Sequence, residues 1–145
     1  MAELVREVLI DASPKTVFEF LTVPSRHVEW QGTEAELDPR PGGVFRVLVG
    51  GNHHAAGEFV EVIPNEKVVI TFGWDVPGHP IPAGSTIVEY TLHAEGDKTR
   101  LRLVHRNLPD DAVVQHTHGW DHYLARLAIA APGGDAGPDA GPAGS

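Results

Sequence analysis

Apolar and polar residues alternate along most of the chain, which is the pattern of strands that have one buried and one exposed face. Residues 98–107 show it clearly, because Leu101, Leu103 and His105 share one face while Arg100 lies on the other. Similar segments cover residues 3–10, 44–49, 53–63, 67–75 and 85–93. Turns rich in glycine, proline and asparagine separate many of these segments, so the pattern predicts consecutive strands paired in an antiparallel meander.

Three segments depart from this period and predict helices. Ser13 can cap a short helix that has Pro14 at its first position, where the missing N–H costs no hydrogen bond. A second short helix begins at Pro24 and ends near Trp30. After Asp110 the apolar spacing becomes that of a long amphipathic helix. Its apolar stripe is centred on Trp120 and contains Val113, His116, Tyr123, Leu124 and Leu127.

The order of elements predicts an α+β fold in which a curved antiparallel sheet of about seven strands wraps the long C-terminal helix. Two short helices follow the first strand and close one end of the groove between sheet and helix. Such a groove leaves room for a cavity. We expect the folded domain to cover residues 1–131. Residues 132–145 lack large apolar side chains, and their Gly, Pro, Asp and Ala content predicts a disordered tail.

Inward-facing strand residues and the helix stripe supply the candidate ligand-binding residues. They are mostly aromatic and aliphatic, with histidine and tyrosine as polar members, a mixture that suits small hydrophobic or aromatic ligands. The candidates are Trp30, Phe45, Val47, Phe72, Trp74, Val88, Tyr90, Leu103, His105, His116, Trp120, Tyr123 and Leu124. The alternative is that the same side chains fill an ordinary core to native density.

Two inward histidines are the catalytic candidates. His105 or His116 could anchor a ligand oxygen, or act as acid and base in a cyclase-type reaction, because histidine titrates near neutral pH. The alternative, which is preferred for each of them, is a hydrogen-bonded core histidine. Nucleophilic catalysis has no candidate, since the chain has no Gly-x-Ser-x-Gly motif and no cysteine.

The formal net charge of −9 disfavours binding to nucleic acids and to anionic membranes. No apolar run is long enough to span a bilayer, and the N-terminus carries charges where a signal peptide needs apolar residues. We therefore expect a soluble cytoplasmic protein, monomeric or homodimeric, whose partner is a small hydrophobic ligand.

Nine histidines raise the question of a metal site. His118 and His122 lie four residues apart on the long helix, but the neighbouring Gln115 and Asp121 complete the coordination sphere poorly. We expect no metal and no cofactor. Gly119 lies within the same helix, where glycine costs about 1 kcal/mol against alanine. We expect it to permit the close approach of a neighbouring strand, or of a ligand.

Several local patterns resemble the START-like (SRPBCC, helix-grip) superfamily, and within it the branch named after the activator of the heat-shock protein 90 ATPase. The matching pieces are residues 12–18, 28–30, 38–46, 57–64, 68–74 and 116–120. Their joint order covers almost the whole expected domain. One departure is Gln31, since relatives often have a second tryptophan after the one matched by Trp30.

The resemblance implies a hydrophobic cavity between the sheet and the long helix. Relatives include lipid and hormone carriers, aromatase and cyclase enzymes acting on polyketides, and co-chaperone domains. Three functions therefore stay open: a non-catalytic binder of a small hydrophobic molecule, an enzyme of cyclase, aromatase or dehydratase type, and a protein-interaction domain of the chaperone-activator kind. Catalytic motifs are absent from the sequence, so the binder is preferred.

Overall fold

The computed structural model describes residues 1–142. Its strands are β1 (Ala2–Ile10), β2 (Glu34–Leu37), β3 (Val44–Val49), β4 (His53–Ile63), β5 (Lys67–Trp74), β6 (Thr86–Glu95) and β7 (Lys98–Leu108). Its helices are α1 (Pro14–Thr22), α2 (Pro24–His27) and α3 (Val113–Ala130), the last preceded by a 3-10 turn at Asp110–Ala112. The strands form one antiparallel sheet in the order β1-β7-β6-β5-β4-β3-β2. The predicted fold is confirmed.

Strands β2 to β7 form the expected meander, and β1 joins it beside the last strand. In that pairing Val5 lies opposite Val104, and the register shifts between Ala2 and Leu4. A second irregularity in β4, between Phe59 and Glu61, adds a bulge to the pairing with β5. Bulges increase the local twist of a sheet, which helps this one to curve around a helix.

The two short helices close one end of the sheet. Ser13 caps α1, its hydroxyl accepting a hydrogen bond from the N–H of Thr16 at 3.2 Å, and Pro14 occupies the first turn. α2 is only four residues long, and the chain then turns through Trp30. The indole of Trp30 is fully buried and donates to the carbonyl oxygen of Phe20 at 2.8 Å. This contact fixes the segment after α2 against α1.

Helix α3 packs its apolar stripe on the sheet, as the periodicity indicates. The rings of Phe72 on β5, Tyr90 on β6 and His105 on β7 all lie near Trp120, with centroid separations of 6.0, 6.2 and 6.0 Å. Arg6 on β1 pairs with Asp121 on the outer side of the helix. No helix among residues 1–142 is long and apolar enough to cross a membrane.

Residues 132–145, for which the composition predicts a disordered tail, are described as far as residue 142. Residues 135–142 fold back on the domain, because Asp139 is buried and Arg126 on α3 donates to the carbonyl oxygens of Ala136 and Gly137, each at 2.8 Å. Polar contacts therefore place a segment that has no large apolar side chain. Residues 143–145, also part of that expectation, lie outside the described residues.

Candidate functional site

A cleft of about 360 Å³ opens between β5, the turn joining β3 to β4, helix α3 and the returning C-terminal segment. Its apolar wall comes from Phe72, Trp74, Trp120, Tyr123, Val49 and Val76, and its more polar rim from Gln31, Asn52, His53, His79, Gln115, His116 and His118. Gly50, Gly119, Gly141 and Pro142 complete the lining. The volume lies at the lower end of the range for small-molecule sites.

Aromatic rings dominate the deep wall. Phe72 lies between the other two large rings, with its centroid 5.6 Å from that of Trp74 and 6.0 Å from that of Trp120. The Phe72–Trp74 pair is edge-to-face at 81°, an arrangement that aromatic quadrupoles favour. Of the three rings, only that of Trp74 is partly exposed, while Phe72 and Trp120 are buried.

The structure brings five of the predicted ligand-binding residues together at the cleft. They are Phe72, Trp74, His116, Trp120 and Tyr123. The remaining eight are buried and absent from the cleft lining: Trp30, Phe45, Val47, Val88, Tyr90, Leu103, His105 and Leu124. Strand parity identifies inward positions, but it cannot tell which end of the groove the core leaves unfilled.

His105 is held in a chain of hydrogen bonds beneath the cleft. The Trp120 indole N–H donates to His105 Nδ1 at 3.0 Å, so the proton of the neutral ring lies on Nε2. Nε2 is 2.8 Å from the hydroxyl oxygen of Thr86, which in turn donates to the carbonyl oxygen of Phe72 at 2.6 Å. Burial, with a smaller contribution from nearby His116, lowers the pKa of His105 to about 3. His105 is therefore neutral at physiological pH, with both ring nitrogens engaged.

His116 lines the cleft, but both of its nitrogens are also engaged. Nδ1 donates to the carbonyl oxygen of Ala112 at 2.9 Å, which leaves Nε2 to accept from the Trp74 indole at 3.3 Å. Burial lowers the pKa of His116 more than the bond to Ala112 raises it, and the charge of His79 adds to the lowering. The ring thus orients Trp74, and the geometry gives neither histidine a free nitrogen for acid–base chemistry.

Part of the polar rim comes from turns and loops and from the start of β4, where strand alternation gives no signal. Asn52 and His53 follow the glycines of the β3–β4 turn, and His79 belongs to the proline-rich loop after β5. The N–H of Ile81 donates to His79 Nδ1 at 2.9 Å, so in the neutral ring Nε2 carries the proton. The signal that could have found these residues is a run of hydrogen-bonding side chains in loops beside the aromatic strand β5.

Gly119 opens onto the cleft. A Cβ placed at this position would have no atom of the described residues within 4 Å, apart from the adjacent residues and backbone of its own helix. The close approach of a strand is therefore not what this glycine permits. Its missing side chain leaves space in the binding cleft instead.

The cleft has no charged side chain of the Lys, Arg, Asp or Glu type in its lining, as far as residues 1–142 describe it. The same residues contain no cluster of three or more His, Asp or Glu side chains arranged to hold a metal ion. The lining therefore offers aromatic surface and hydrogen-bonding side chains, without a Lys, Arg, Asp or Glu side chain.

The family model described as "Activator of Hsp90 ATPase homolog 1-like protein" matches residues 11–131. The chain belongs to this family. The match spans the two short helices, most of the sheet and the whole of α3, so it covers every element that borders the cleft except the C-terminal segment.

Solved structures of family members and of related folds agree with this assignment. The AHSA1-like protein RHE_CH02687 from Rhizobium etli is 43% identical, with a TM-score of 0.74, over 95% of this chain and 86% of that one. CalU16 from Micromonospora echinospora is 28% identical, with a TM-score of 0.74, over 95% of this chain and 78% of that one.

A third structure shares the fold alone. DynU16, described as a putative protein in the dynemicin biosynthetic locus, is 24% identical with a TM-score of 0.78 over 92% of this chain. This AHSA1-family chain spans only 48% of the length of DynU16. No curated protein matches the sequence.

Proposed function

We propose that this AHSA1-family protein binds a small hydrophobic or aromatic molecule in the cleft between β5 and α3. The observation that carries the proposal is the cleft itself, whose deep wall consists of Phe72, Trp74 and Trp120. Trp74 is only partly buried, so a ligand that covers its ring removes further apolar area from water, which is the main source of affinity in such sites.

The polar rim supplies orientation. The Nε2–H group of His79 can donate a hydrogen bond, while the side-chain amides of Asn52 and Gln115 can both donate and accept. A ligand that carries a hydroxyl or carbonyl group at one edge of an aromatic skeleton matches this distribution. Rim groups of this kind fix the pose of a ligand while the apolar wall contributes most of the affinity.

Binding without turnover agrees best with the histidine geometry. A cyclase or dehydratase reaction needs a group that can take or give a proton at the substrate. His105 is closed off by Trp120 and Thr86, and His116 is engaged on both sides.

Filling the cleft from Gly119 tests the proposal. Gly119→Leu places a side chain into the cleft, where a Cβ at this position has no neighbour within 4 Å. In a thermal-shift screen of lipids, flavonoids and neutral naphthalene derivatives, a ligand at a hundred times its Kd stabilises the wild type by about 2.7 kcal/mol. We expect Gly119→Leu to lose this stabilisation while its own fold is retained.

Gly119→Ala is the matched control. It should keep ligand binding and raise the free energy of unfolding by about 1 kcal/mol, because alanine replaces glycine within a helix. If a compound shifts the wild type and Gly119→Leu equally, its site lies elsewhere. If no compound of the panel shifts the wild type, the proposal fails.

A further inference from the structure

The buried carboxylate of Asp139 is held by several hydrogen bonds at one end of the cleft. Oδ2 of Asp139 accepts hydrogen bonds from the backbone N–H of Gly32 at 2.7 Å and of Gly50 at 2.9 Å. The Tyr123 hydroxyl lies 2.9 Å from Oδ1 and 3.1 Å from Oδ2. Three donors from three separate segments of the domain therefore converge on one carboxylate. We call the site formed by Gly32, Gly50 and Tyr123 the carboxylate nest.

The nest is built into the domain. Gly32 has φ +84° and Gly50 has φ +61°, a left-handed conformation that favours glycine. A Cβ on Gly32 would meet Val47 Cγ1 at 2.4 Å, so no other residue fits the close approach of this backbone to β3. Two separate turns held in this way direct their N–H groups to one point, and converging backbone N–H groups form concavities that bind anions.

The nest also belongs to the cleft. Gly50 and Tyr123 both line it, and Gln31, next to Gly32, lines it too. Beyond Asp139 the C-terminal segment runs along the same space, where Gly141 and Pro142 form part of the wall. The carboxylate of Asp139 thus lies in a polar site at one end of the aromatic cleft.

We propose that the carboxylate nest is a ligand subsite, which Asp139 occupies within the same chain and which the carboxylate of an aromatic carboxylic acid takes over on binding. The inference rests on the proposed function, because the aromatic part of that ligand lies in the cleft. Asp139 is then a built-in competitor. Neutral ligands bind with the C-terminal segment in place, and acids bind by displacing it.

The electrostatics of the nest favour an anion. Burial alone raises the pKa of Asp139, but the N–H groups of Gly50, Gly141 and Gly32, with the Tyr123 hydroxyl, lower it to below its ordinary value. The nest therefore stabilises the ionised form, despite the removal of the carboxylate from water. A ligand carboxylate in the same place would meet the donors of Gly32, Gly50 and Tyr123.

Chemical rescue tests the nest without any assumption about the cleft ligand. Asp139→Ala in the full chain leaves the nest empty, and we expect a lower midpoint of thermal unfolding. Sodium acetate should then raise the midpoint of Asp139→Ala more than that of the wild type, measured against sodium chloride of equal ionic strength and against acetamide. An equal response of the two proteins to acetate would overturn the proposal. If Asp139→Ala does not fold, Asp139→Ser, whose shorter side chain also leaves the carboxylate position of the nest open, replaces it under the same criterion.

A matched pair of probes tests the subsite within the cleft. Naphthalene-2-carboxylate should bind Asp139→Ala at least about tenfold more tightly than it binds the wild type, since the competitor is gone. Naphthalene-2-carboxamide, which is neutral, should bind both proteins alike. Adding Tyr123→Phe to Asp139→Ala should remove part of the gain for the carboxylate, because one donor is lost.

The two probes separate the possible failures. If the carboxamide binds and the carboxylate gains nothing from Asp139→Ala, the cleft is a binding site but the carboxylate subsite is wrong. If neither probe binds any of the proteins and the thermal-shift panel is also negative, the proposed function fails, and the acetate response alone decides whether the nest accepts an external carboxylate.

Discussion

Replacing Trp30 by alanine is expected to lower the free energy of unfolding by about 3–5 kcal/mol. Trp30 has no exposed surface, and its indole donates to the carbonyl oxygen of Phe20. The carbonyl oxygen of Trp30 also accepts from Arg126, which ties the segment after α2 to α3. Truncation leaves a large cavity and an unpaired buried carbonyl oxygen, and each of these is destabilising. Urea unfolding followed by circular dichroism measures the loss.

Trp74→Ala is the matched comparison, because Trp74 lies on the cleft wall and is only partly buried. We expect it to cost about 1–2 kcal/mol and to abolish ligand binding, since less apolar area is lost from the core. Trp30→Ala, if enough of it folds, should keep the affinity of the wild type. A larger loss of stability from Trp74→Ala than from Trp30→Ala would show that the two tryptophans have been assigned the wrong roles.

The free energy of unfolding is expected to fall as the pH is lowered below 6.5, which is well above the pH at which carboxylates titrate. Burial lowers the pKa of His105 to about 3 and that of His27 to about 4. Below pH 6.5 the unfolded chain takes up protons on these histidines and the folded chain does not, so stability is complete above pH 6.5 and falls as the pH is lowered toward 4. Each histidine contributes about 1.4 kcal/mol per pH unit below pH 6.5, so between pH 7 and pH 4.5 the two together account for a loss of about 5 kcal/mol.

His105→Gln isolates one of these groups. Glutamine can accept from the Trp120 indole and donate to Thr86, but it does not titrate. Urea unfolding at a series of pH values should show about half the wild-type dependence between pH 6 and pH 4.5. His93→Gln, at an exposed position on β6, should keep the wild-type dependence. Parallel curves for His105→Gln and the wild type would contradict the assignment of a buried neutral His105.

Most of the fold can be predicted from periodicity, because a strand buried on one face has alternating apolar and polar residues. The strands β3 to β7 and the stripe of α3 are examples. β2 is harder to locate, since Glu34–Leu37 is a four-residue edge strand with no fully buried position. Such a strand is set by its pairing with β3 and leaves little pattern of its own.

The candidate site is harder to predict from the sequence than the fold is. Parity places Phe72, Trp74, Tyr90 and His105 inward alike, but only the first two belong to the lining of the cleft. What separates them is how completely neighbouring side chains fill the groove at each point, which depends on three-dimensional packing.

The C-terminal segment shows a second limit. Composition predicts whether a segment can bury apolar surface, and residues 132–142 cannot. Their placement depends on a buried carboxylate and on the guanidinium of Arg126, whose partners are backbone groups from distant parts of the chain. Backbone partners carry no sequence signature, so this docking could not be read from residue types.

The most direct test of the cleft follows the indole N–H signals in a ¹⁵N–¹H correlation spectrum. The chain has three tryptophans, so three signals are expected, assigned by single Trp→Phe variants. On titration with naphthalene-2-carboxamide, the signals of Trp74 and Trp120 should shift while that of Trp30, buried behind Phe20, stays in place. A shift at Trp30 with none at Trp74 and Trp120, or no shift at any indole when the probe binds, would contradict a ligand site between β5 and α3.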